Sequence, residues 1–90
     1  MTEVKFTDHA RKRLQEREIP EQDVINAVKD PDDVLFDADK GNLVAVKKVG
    51  DVHLIVVYAP SRPLRIISVI QTSKLNIVEN RIRKGRWVRL

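Results

Sequence analysis

The sequence predicts an α+β domain: an N-terminal strand and helical hairpin, an antiparallel sheet, and a C-terminal helix. Three observations carry that prediction. Apolar residues recur at helical spacing before Pro31 and at strand spacing after it. Turn signals then divide the chain into short extended runs. A helical stripe returns after Thr72. Such an order suits helices packed on one face of a sheet. Leu14, Val24, Val28, Val78 and Ile82 are expected to be buried there with Ile55, Val57, Ile67 and Val69.

Glu3 to Phe6 reads as a short edge strand, because Val4 and Phe6 alternate with Glu3 and Lys5. Thr7 suits the N-cap of a first helix and Asp8 its positive end. Ala10 and Leu14 mark the inward face. Lys12, Asp8, Arg11 and Gln15 point away from it. His9, Arg13 and Arg17 follow at i, i+4 and i+8 and so form one ridge. On the helical wheel Arg17 falls only about 20° from Ala10, so the ridge is expected where the helix meets the rest of the domain. The first helix stops near Glu18. Pro20 opens the second at its first position, with Glu21 and Asp23 in the first turn. Val24, Ala27 and Val28 form its apolar stripe, and Pro31 prevents continuation past Asp30.

Val34 and Phe36 alternate in the first sheet strand, and Asp39-Lys40-Gly41-Asn42 signals a turn. Leu43 to Val49 is a second strand that leaves the core near Lys47 and Lys48. Gly50-Asp51 fits a two-residue hairpin turn. Val52 to Ala59 is nearly all apolar and so reads as a central strand covered on both faces. Pro60 to Pro63 is a loop, and Leu64 to Gln71 is another apolar strand. Thr72 or Ser73 can cap a third helix whose Leu75, Val78 and Ile82 face inward. Gly85 ends it, with Arg83 and Lys84 at its negative end. Arg86 to Leu90 is a tail that either pairs as an extra strand or packs through Trp87.

Ninety residues are expected to form one domain, 1–90, with a modest core. The chain has no cysteine, which fits a reducing cytoplasm and excludes disulfides and thiolate metal sites. No stretch reaches the length of a membrane span or looks like a signal peptide. A cytoplasmic protein without a membrane partner is therefore expected. The net charge of +4 hides an asymmetry. Residues 1–30 carry six basic and seven acidic side chains, and residues 31–60 carry three and five. Residues 61–90 carry eight basic side chains against Glu79 alone. Such an excess attracts phosphates. It also suits an acidic protein partner, or only solubility. Arg65, Lys74, Arg81, Arg83 and Arg86 are the candidate nucleic-acid contacts.

Chemistry without a metal would need a proton-transfer group and cations for a phosphate. Histidine is the side chain that ordinarily titrates near neutrality. His9 is thus the first candidate, with Arg13 and Arg17 able to hold a phosphate bidentately. The competing reading is structural: His9 bonds a sheet carbonyl, and the arginines pair with Glu16, Glu21 or Asp23. His53 and Tyr58 are alternative proton-transfer groups. They lie five residues apart on one strand and so face opposite sides. Tyr58 and Trp87 read equally as packing residues. No dense ligand motif for a metal, no Gly-rich phosphate loop and no Ser/His/Asp arrangement is present. No cofactor is expected.

The element order resembles the RelE/ParE superfamily of small prokaryotic toxins, as does the opening Val4-Lys5-Phe6-Thr7 followed by Ala10. More closely, His9-x-x-x-Arg13-x-x-x-Arg17, then Ile19, Asp23-Val24 and Pro31, resembles the domain-of-unknown-function family 4258. That family's second helix usually opens after Gly-Ile-Ser, where this chain has Glu18-Ile19-Pro20. Ile67 to Thr72 is similar to its closing strand more loosely. The resemblance implies a toxin-like RNA-acting module of a toxin-antitoxin system, with RNA or an acidic antitoxin-like protein as partner. RelE-type members cut messenger RNA on the ribosome without a metal. ParE-type members share the fold and inhibit a topoisomerase, so the fold does not decide between a metal-independent endoribonuclease, a nucleic-acid-binding protein without cleavage and a non-catalytic protein-binding module.

Overall fold

A computed structural model describes residues 3–90. The chain runs β1 (Val4–Phe6), α1 (Asp8–Arg17), α2 (Glu21–Lys29), β2 (Asp33–Asp37), β3 (Leu43–Val49), β4 (Val52–Ala59), β5 (Leu64–Thr72), α3 (Asn76–Arg83) and β6 (Trp87–Arg89). Thr7 caps α1, its hydroxyl oxygen accepting from the Ala10 amide at 3.1 Å. Asp30 ends α2 before Pro31, as the missing proline donor requires. Lys47 donates to the Asp30 carbonyl at 2.8 Å and so tethers that helix end to β3. In the β2–β3 turn, Asp37 accepts from the amides of Asp39 and Lys40. Gly50 follows β3 at φ 62°, where a side chain would be strained.

The six strands form one mixed sheet in the order β1-β5-β4-β3-β2-β6. β2 to β5 are antiparallel, as expected, and pair in sequence order. β1 differs, lying parallel to β5 with Val4 beside Leu64 and Phe6 beside Ile66. The tail pairs as well as packs: Phe36 lies opposite Val88, and Trp87 is 3% exposed.

The expectation that all three helices share one sheet face is corrected. One core joins Ala10, Leu14, Val24, Ala27 and Val28 of α1 and α2 to Ala45, Leu54, Val56, Tyr58, Ile66 and Val69. A second core joins Val78 and Ile82 of α3, with Trp87, to Leu35, Val44, Val46, Ile55 and Val57. Ile55 and Val57 therefore lie under α3 and not under α1 and α2. β4 is apolar on both faces, and a sheet with two apolar faces needs cover on each. The hairpin covers one face and α3 the other. α3 begins later than the Thr72 or Ser73 cap would place it. β5 extends through Thr72, whose hydroxyl bonds the amide and carbonyl of Lys74 instead.

Candidate functional site

α1 presents its outward face to solvent. Its 3.6-residue period buries Ala10 and Leu14 and leaves His9, Lys12, Arg13, Glu16 and Arg17 exposed. His9, Lys12, Arg13 and Glu16 line one shallow depression of about 270 Å³. They occupy i, i+3, i+4 and i+7, one stripe of the helix. Glu16 lies 4.0 Å from Lys12. Among the described residues, no ion pair within 4 Å involves Arg13 or Arg17. The pairing expected of them with Glu21 falls to Arg11, 3.6 Å from that carboxylate and 5.6 Å above the Phe6 ring. The ridge is thus more open than its wheel angle implies. Arg17 occupies the last helical turn, and the chain turns away at Glu18. A wheel treats the helix as endless and misses that exit.

The depression can do two things chemically. Its cations can take an anion such as a phosphate, with Arg13 offering a planar fork. Its histidine and carboxylate are of the types that transfer protons. Lys12 and Glu16 were not among the candidates from sequence, although their spacing from His9 was the signal that could have found them.

His53 and Tyr58 lie on opposite sheet faces. His53 is half-buried beside Thr72 and Lys48. Tyr58 is buried in the core under α1 and α2, and that burial raises its phenol above the ordinary tyrosine range. Neither side chain lines the α1 depression. The basic C-terminal residues do not converge on one spot. Arg65 lies at the start of β5 and Lys74 just past its other end. Arg81 stacks on the Trp87 ring at 4.9 Å. Arg86 lies 3.9 Å from Asp39, while Arg83 is exposed at the end of α3. Part of the basic excess therefore answers the acidic middle third of the chain. Since α1 and α3 cover opposite faces, the α1 ridge and the α3 cations form separate surfaces.

Among the described residues, no group of three or more His, Asp or Glu could hold a metal ion. No described helix is long and apolar enough to cross a membrane.

Residues 6–71 match the family described as Domain of unknown function (DUF4258). The chain belongs to the DUF4258 family. The α1 ridge lies inside the matched span, whereas α3 and β6 follow it. The DUF4258 match thus includes all of the hairpin and most of the sheet. No curated protein and no solved structure matches the chain.

Proposed function

We propose that this DUF4258 domain is a toxin-like RNA-binding domain that takes the RNA backbone on the outward face of α1. The observation that carries the reading is the exposed stripe His9, Lys12, Arg13 and Glu16, with Arg17 one turn beyond. Arg13 and Arg17 project their charge where a phosphate can reach it. The resemblance to RelE/ParE toxins supplies the cytoplasmic setting and an acidic antitoxin-like protein as the natural competitor for the same cations. Fluorescence anisotropy with a single-stranded RNA tests the reading. Arg13→Ala/Arg17→Ala should bind at least about tenfold more weakly, about 1.4 kcal/mol for two charge-assisted contacts. No RNA binding by the wild type would reject it.

Metal-independent cleavage is a second reading, favoured because His9 and Glu16 line the same depression. One would take the ribose 2′-hydroxyl proton and the other would protonate the leaving 5′-oxygen. The 2′-oxygen then bonds to phosphorus, leaving a cyclic phosphate and a 5′-hydroxyl. Such cleavage should persist in chelator. His9→Ala should lose about 10²–10⁴-fold in rate while RNA still binds. Inducible expression in a bacterium, scoring growth arrest and RNA integrity together, separates binding from cutting.

A further inference from the structure

Among the described residues, three large apolar side chains stand exposed, and all three meet at one sheet edge: Phe36 at 38%, Val88 at 49% and Leu90 at 76%. Phe36 lies directly opposite Val88 on β2 and β6, and the Leu90 amide donates to the Val34 carbonyl. These residues therefore share the sheet face on which α1 and α2 pack elsewhere. At the opposite edge, Val4 and Phe6 of β1 pack against the core, and among the described residues no large apolar side chain is exposed there.

β6 is also an edge strand whose unpaired groups are fixed by its register. Arg86, Val88 and Leu90 turn their backbone groups toward β2. By strand alternation, Trp87 and Arg89 turn theirs outward. We propose that this edge pairs with β6 of a second copy, antiparallel about a two-fold axis through Val88. In that register Trp87 and the partner's Arg89 exchange two backbone hydrogen bonds on each side of the axis. Val88 faces the partner's Val88 as a non-hydrogen-bonded pair. Arg86 falls opposite Leu90, so no two like charges are directly opposed.

Charge favours a second copy over an acidic peptide. Exposed charged edges ordinarily discourage strand addition. Here Arg89 already pairs with Asp33, and Arg86 lies 3.9 Å from Asp39. The edge thus presents hydrogen-bonding groups and apolar surface with its arginines answered within the chain. The pairing would join two sheets into one and bring two Phe36–Val88 strips together. It uses none of the α1 residues, so it stands or falls apart from RNA binding.

Light scattering and sedimentation equilibrium on the full chain test the pairing. The wild type should approach twice the chain mass of 10.4 kDa at high concentration and fall to monomer on dilution. Val88→Lys opposes two ammonium groups on the axis and should be monomeric where the wild type is dimeric. An equimolar mixture of Val88→Lys and Val88→Glu should recover the dimer. Arg89→Pro removes one outward donor without touching a β2–β6 backbone bond and should also be monomeric, whereas Arg89→Ala, which loses the same side-chain pair with Asp33, should still pair. Val88→Cys gives the chain its single thiol and should oxidise to a disulfide-linked dimer, because opposed non-hydrogen-bonded positions lie within bridging distance. Circular dichroism should show each variant folded. A wild type that stays monomeric at its highest soluble concentration overturns the proposal. So does a dimer that survives both Val88→Lys and Arg89→Pro, since it would form through another surface.

Discussion

Glu18 ends α1 in a left-handed backbone conformation, φ 53°, the only positive φ at a non-glycine among the described residues. A side chain costs about 1–2 kcal/mol there, and glycine removes that cost at about 0.5–1 kcal/mol of added chain freedom. Glu18→Gly should therefore raise stability by about 0.5–1 kcal/mol, read as a melting midpoint a few degrees higher. Tyr58 offers a second residue-level test, as the only tyrosine of the chain. Burial raises its phenol above the ordinary 10.0. Below that pH both the folded and unfolded chains keep the proton, so the contribution to stability is complete. As pH rises through 10.0, the unfolded chain ionises first and the contribution is lost. Alkaline absorbance titration should give a late phenolate midpoint, and Tyr58→Phe should flatten the alkaline loss of stability. A midpoint at the ordinary value would show Tyr58 to be solvated.

At the scale of elements, α3 and β6 act as one unit. α3 lays Val78 on the sheet face opposite α1 and α2, and β6 returns to close Trp87 beneath it. Trp87→Ala should lower stability by about 3–5 kcal/mol, the usual range for a large buried aromatic. Denaturant unfolding measures it, and a loss under about 1 kcal/mol would contradict a buried role for the ring. Most elements were legible from the sequence because their signals are local. Pro31, Gly50 and the stripe Val24, Ala27, Val28 each act within a few residues of themselves. Which face α3 would choose was not legible, since a stripe shows that a helix has an apolar side but not which sheet face it meets. β4, apolar on both faces, held the clue. The parallel partner of β1 was illegible for the same reason: Val4 and Leu64 pair across most of the chain. The site was legible in part. Helical spacing aligned His9 with Arg13, and the same spacing places Lys12 and Glu16 beside them, but the exposure of Arg17 depended on where the hairpin turns.

Taken whole, the molecule separates the α1 cations from the scattered cations of its C-terminal third. Stacking with Trp87 engages Arg81, and proximity to Asp39 and Asp33 engages Arg86 and Arg89. Reversing Arg81 would thus disturb the cover of Trp87 as well as any RNA contact. On the α1 surface, Arg13 and Arg17 make no such ion pair among the described residues. His9→Ala, Arg13→Ala and Arg17→Ala should each keep stability within about 0.5 kcal/mol of wild type, as exposed positions do.

The most direct test of the account is the salt dependence of RNA binding. The logarithm of the binding constant should fall linearly with the logarithm of salt concentration as counterions leave the strand. Each phosphate contact on a single strand contributes about 0.7 to that slope, so Arg13→Ala/Arg17→Ala should be shallower by about 1.4 with an unchanged melting midpoint. An unchanged slope and affinity in the folded double variant would contradict the claim that α1 is the RNA surface.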